Sequence, residues 1–254
     1  MQFLDDGSIK GIAISRETAK VVILPVPLEQ TVSYLPGTAA GPGKILAASA
    51  QVELYDPELD AYPYRVGIHT APPVNCRGKI GLAMGRVASA VSLVIEEGKI
   101  PVCLGGEHTL SFAPIGKLKK RYRDLSVLHL DAHADLRDSY HGTKWSHACV
   151  MRRVNELDVA TVAVGIRSVC EEELRFVRRQ SLPFFPAWEF GPADYPWDRI
   201  VAALSDRVYV SVDMDAFDPS EVPAVGTPET GGLSWFDALT LFRLLARSGK
   251  KVVG

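Results

Sequence analysis

Three short segments carry hard donors directly behind apolar runs: GGEHTL at residues 105–110, DAHAD at 131–135 and DMD at 213–215. Through His108, Asp131, His133, Asp135, Asp213 and Asp215 they supply four carboxylates and two imidazoles. Alternation along an extended backbone aims Asp131, His133 and Asp135 to one side and leaves Ala132 and Ala134 facing away, and Asp213 and Asp215 repeat the pattern about Met214. An uncompensated carboxylate in a buried pocket costs roughly several kcal/mol or stays protonated. Two divalent cations resolve that conflict. A carboxylate-rich set without thiolates suits Mn2+ better than a structural Zn2+, which prefers Cys and His in a closed tetrahedron. Glu107 points away from His108 on an extended chain, as an acid that orients a ligand or as a surface charge. His129 shares parity with Asp131 but lies deeper in its run, as a core histidine or one that orients a ligand. His69 and His141 have no informative neighbours.

Positioning these donors falls to strands and helices that alternate along the chain. Apolar runs bounded by Gly, Pro or charge lie at residues 21–26, 100–104, 125–130, 161–166, 207–212 and 251–253, and read as strands. Helical stretches at 42–51, 78–97, 111–122, 147–157, 170–180 and 234–248 lie between them, each able to set an apolar stripe on a sheet. The expected fold is α/β, a three-layer α/β/α sandwich around a mainly parallel sheet. In such a sheet ligands bind beyond the carboxyl ends of the strands, where all three donor segments fall. The turn-rich segments 34–43 (YLPGTAAGPG) and 70–73 read as surface loops.

Length and composition narrow the class. A chain of 254 residues, 47% hydrophobic, is long enough to bury one substantial core, so a single domain over residues 1–254 is expected. Charged residues make up 23% and nearly cancel to a formal net charge of -2, which leaves no field to recruit nucleic acid or an anionic membrane. The partner is a small molecule. The apolar stretch at 21–28 is broken by Pro25 and Pro27, so neither a signal peptide nor a membrane span is expected, and the chain reads as cytoplasmic. Cys76, Cys103, Cys149 and Cys170 form no C-x-x-C pair and read as reduced, mostly buried thiols.

In this order, GGEHTL, LDAHADLRD and SVDMDAFDPS, followed by GTPETGGL at 226–233, resemble the motifs of the ureohydrolase (arginase/agmatinase) superfamily. The likeness runs from Pro25 to the end of the chain. It implies a binuclear Mn2+ centre, with His108, Asp131, Asp135 and Asp213 holding one ion and Asp131, His133, Asp213 and Asp215 the other, Asp131 and Asp213 bridging. A guanidinium carbon is a poor electrophile because resonance spreads its charge, and water shared by ions roughly 3.5 Å apart would lose a proton near neutrality and attack as hydroxide. By the resemblance, Asp135 holds the proton released and passes it to the departing amine. His147, in HGTKWSHACVMRR, matches a histidine that shuttles protons or contacts substrate in similar enzymes, a task suited to an imidazole.

The stretch DLRDSYHGTKWSHA lacks the Ser/Thr/Asn-rich run with which arginases recognise an amino-acid end, and it resembles bacterial and archaeal agmatinases. The implied reaction is cleavage of agmatine to putrescine and urea, with guanidinobutyrase, arginase and formiminoglutamase activities as alternatives. Similar enzymes are homo-oligomers, trimers or hexamers. In them the last strand continues into a D-x-x-E segment whose glutamate pairs with the guanidinium. This sequence stops at Gly254, within KKVVG, so the expected domain is truncated at that end. A metal-binding relative without catalysis, and a deacetylase holding one Zn2+ on the same fold, are the readings of other classes.

Overall fold

A computed structural model describes residues 14–190 and 195–254, which form two compact units. Residues 14–30 and 37–114 make the first, and residues 31–36 and 115–254 the second. Each is built on a parallel sheet.

In the first unit β1 (Val21–Val26) lies between β2 (Ile68–Thr70) and β3 (Ile100–Gly105), with Val21 opposite both Ile68 and Ile100. Val22, Leu24 and Val26 alternate onto one face and are buried with Ala83, Val87, Val91 and Val94 of α2 (Ile80–Glu96). Those helical positions recur at the spacing that gives a helix one apolar face. The segment expected as a loop at 70–73 is partly sheet: Thr70 closes β2, and Thr70 and Ala71 are buried. Three residues were too few for an apolar run to announce the strand. The other expected loop, at 34–43, contains a 3-10 turn at Thr38–Ala40 and the start of α1 (Gly41–Ser49).

The chain passes along α3 (Phe112–Arg121) into the second unit, whose sheet contains β4 (Leu125–Leu130), β5 (Ala160–Val164), β6 (Phe184–Phe185), β7 (Arg207–Val212) and β8 (Lys251–Val252). The spatial order is β6-β5-β4-β7-β8, all neighbours parallel. Every residue of β4 is buried, as a central strand covered on both faces requires. Leu128 and Leu130 join a core with Val162, Val164, Ile200, Leu241 and Leu245, drawn from β5, α6 (Trp197–Ala202) and α7 (Trp235–Arg247). Helix α7 starts on a capping box in which Ser234 and Asp237 bond each other's backbone. Helix α4 (Val150–Asn155) is shorter than expected because its first turn, His147–Cys149, is 3-10. Helix α5 is Glu171–Gln180. All four cysteines are free, Cys149 buried and Cys76, Cys103 and Cys170 partly buried. Among the described residues no helix is long and apolar enough to cross a membrane.

Candidate metal centre

The centre of the second sheet sets the site. Leu130 of β4 is paired with Val212 of β7 on one side and Val164 of β5 on the other, so the chain leaves three adjacent strands at one edge. Because β4 is flanked by β5 and β7, this is the kind of switch point at which open α/β sheets bind ligands. Asp131 follows β4 and Asp213 follows β7. Val127, His129 and Asp131 share the face of β4 opposite Leu128 and Leu130.

His129 and Asp131 are each 1% exposed, and the His129 Nε2–H donates to Asp131 Oδ2 at 2.8 Å. The other carboxylate oxygen, Oδ1, accepts the His133 backbone N–H at 2.6 Å. Both oxygens are thereby oriented. Within the second unit, donor atoms of His129, Asp131 and Asp135 lie within 4.8 Å of one another, and so do those of Asp131, His133 and Asp215. His133 Nδ1 lies 3.2 Å from Asp215 Oδ2 and 3.6 Å from Asp131 Oδ1.

The backbone differs from the extended run that alternation implied. Strand β4 ends at Leu130, and Asp135 has a φ of 53°, in the left-handed region, so a turn rather than strand parity aims its side chain. That turn is held by the Leu136 N–H donating to the buried Glu173 carboxylate at 2.9 Å and by the Arg152 N–H donating to Asp135 O at 3.1 Å. Asp213 stands outside both donor groups. Its Oδ1 accepts the Asp215 N–H at 3.3 Å and caps the 3-10 turn Met214–Ala216. His108 is buried in the first unit, where it opens the 3-10 turn His108–Ser111 behind β3. The preceding Glu107 accepts the Gln30 N–H at 2.6 Å, an orienting role within the first unit's loops.

Electrostatics fit a cation. Burial and the Asp131 charge raise the Asp215 pKa. Burial disfavours the imidazolium of His133, yet its hydrogen bonds to Asp131 and Asp215 outweigh burial and raise its pKa to about 11. The carboxylates therefore demand positive charge at this point, and the donor set of oxygen and imidazole suits a divalent cation.

His147 opens the 3-10 turn His147–Cys149 that leads into α4, and is half buried. Its backbone N–H donates to Thr31 Oγ1 at 3.1 Å, its Nδ1 lies 3.3 Å from that oxygen, and its Nε2 lies 3.4 Å from Ser33 Oγ. Sequence reasoning gave no role to Thr31 or Ser33, which are distant in the chain.

It also missed Arg167. This guanidinium, just behind β5, donates to the carbonyls of Gly165, Asp215, Ala216, Phe217, Glu229 and Thr230, at distances from 2.6 to 3.3 Å. It joins the DMD turn to the GTPETGGL loop, in which Thr227 Oγ1 donates to Asp215 Oδ2 at 3.0 Å. Gly232 belongs to the same joint: a Cβ there would collide with the backbone of Phe217 and Asp218 and with the Arg167 guanidinium. An arginine directly after a buried strand was the only signal available in the sequence.

Carboxylates and imidazoles gathered beyond adjacent strand ends of a parallel sheet mark an α/β protein with a site that could hold metal. The chain belongs to the arginase family, whose model matches residues 19–254. It is similar to the N(1)-aminopropylagmatine ureohydrolase of Synechocystis sp., with 38% identity over 263 residues that span all of this chain and 84% of that protein. It is similar to the agmatinase of Pyrococcus horikoshii, with 35% identity over 93% of this chain and 82% of that one. The crystal structure of agmatine ureohydrolase from Thermoplasma volcanium superposes with a TM-score of 0.86 at 31% identity, covering 99% of this chain and 84% of that chain. The fold is thus the arginase-like α/β fold, and the chain is an arginase-family hydrolase, an amidinohydrolase that depends on metal.

Proposed function

We propose that this hydrolase cleaves the guanidinium group of agmatine to give putrescine and urea, using two Mn2+ ions. The observation that carries the reading is the grouping of Asp131, His133 and Asp215 at the ends of neighbouring strands. His108, Asp131, Asp135 and Asp213 would hold one ion, and Asp131, His133, Asp213 and Asp215 the other, with Asp131 and Asp213 shared. The ions, when bound, supply Lewis acidity and lower the pKa of water toward neutrality.

The side chains do the rest. Asp135 takes a proton on its carboxylate and returns it to the departing amine nitrogen, which must leave as a neutral amine for the carbon–nitrogen bond to break. His147, between Thr31 and Ser33, exchanges that proton with solvent or contacts the substrate. His129 keeps the Asp131 carboxylate in one orientation through the 2.8 Å bond.

A second reading of the substrate is favoured by the name of the Synechocystis relative: N(1)-aminopropylagmatine, which carries the same guanidinium and a longer amine tail. Urea release measured with Mn2+ on agmatine, aminopropylagmatine, arginine and guanidinobutyrate separates the readings. Agmatine is expected to turn over with the highest kcat/KM. Preference for aminopropylagmatine would move the assignment to the second reading, and absence of urea from all four would remove both.

A further inference from the structure

We propose that Glu229 is a positioning residue for the metal centre: its carboxylate takes the Nε2–H of His133 and so commits Nδ1 to a divalent cation. The inference rests on reading the Asp131, His133 and Asp215 group as a metal site. His133 presents its two ring nitrogens to different surroundings. Nδ1 faces Asp215 Oδ2 at 3.2 Å and Asp131 Oδ1 at 3.6 Å, whereas Nε2 faces Glu229 Oε1 at 3.9 Å.

A neutral imidazole carries one N–H, and only its bare nitrogen can bind a metal. The tautomer that serves the Asp131 and Asp215 side is therefore the one protonated at Nε2. A carboxylate on that N–H favours this tautomer, fixes the ring plane and strengthens the donor nitrogen. The Glu229 side chain is 43% exposed, so it has room to turn from 3.9 Å into hydrogen-bond range.

The backbone beneath it is fixed independently of the carboxylate. Arg167 Nη2 and Nε donate to Glu229 O at 2.7 and 3.2 Å, and the same Nη2 donates to Asp215 O at 2.6 Å. One guanidinium thus ties together the residue that faces Nδ1 and the residue that faces Nε2. At the far end of the loop the Gly231 and Gly232 N–H groups donate to the Asp218 carboxylate at 2.8 and 3.3 Å. All these bonds reach Glu229 and its neighbours through main-chain atoms, so replacing the Glu229 side chain leaves the loop's anchors in place.

The test is calorimetric titration of the full chain with Mn2+, comparing wild type, Glu229→Gln and Glu229→Ala, with thermal melts in chelator as a fold control. Glu229→Ala is expected to weaken one ion about 10- to 100-fold while melting as wild type does in chelator. Glu229→Gln is expected to recover much of that affinity, because its amide oxygen still accepts from Nε2. In Zn2+-loaded wild type the 15N spectrum of His133 is expected to show the proton on Nε2. Two ions bound by Glu229→Ala as tightly as by wild type would overturn the inference, and a rise in KM alone would then assign the carboxylate to substrate binding. Wild type that binds no Mn2+ would overturn both the inference and the metal-site reading beneath it.

Discussion

Asp131 is the residue on which most of the site converges. One oxygen takes the buried His129 N–H, the other takes the His133 N–H, and both donor groups include its carboxylate. Asn keeps the shape and removes the charge, so Asp131→Asn is expected to lose both ions, read as less than one Mn per chain by elemental analysis after dialysis. Two retained ions would show that Asp131 does not bridge. A second residue-scale outcome concerns pH. Asp218 accepts hydrogen bonds from Ser220 N and Oγ and from the Gly231 and Gly232 N–H groups, the Ser220 bonds having the largest effect, and its pKa falls to about 2 from an ordinary 3.8. A depressed folded-state pKa means stability that is fully present above the unfolded value and lost as pH drops through the folded one. Denaturant unfolding of Asp218→Asn against wild type is therefore expected to show a deficit near neutrality that shrinks between pH 3.8 and about 2. A deficit unchanged across that window would contradict the assignment.

Elements deliver these residues through loops whose shapes are set by close backbone approach. Gly106, in GGEHTL, donates its N–H to Val26 O at 3.2 Å, and a Cβ there would meet the Leu28 backbone. Gly106→Ala is expected to destabilise the protein by about 1–3 kcal/mol, measured by denaturant unfolding, because backbone cannot yield as a flexible side chain would. Legibility in the sequence follows the same physics. The long strands β1, β4 and β7 were read at the bounds they have, since apolar runs that are buried on one or both faces announce themselves. Strands β2 and β6 and helix α6 were not, having only three, two and six residues in which a pattern could form. At the site, residue types were legible and directions were not. Strand parity accounted for Asp131 sharing a face with His129, but the left-handed turn at Asp135 and the Arg167 bridge depend on hydrogen bonds between residues far apart in sequence.

At the scale of the molecule, two parallel-sheet units and a match to the arginase family over residues 19–254 fix the class of chemistry before any substrate is chosen. A fold does not name its substrate, and loops outside the strand ends choose it. What the chain itself contributes is a compact, oriented set of carboxylates and imidazoles that demands positive charge, with a GTPETGGL loop braced against it by one guanidinium. Such a set is built to hydrolyse a guanidine. The most direct test of that role is a stopped assay of the Mn2+-loaded chain with agmatine, measuring urea and putrescine together. The two products are expected in equal amounts, lost on chelation and restored by Mn2+. Two tightly bound ions with no urea from agmatine or from any other guanidine in the panel would contradict it.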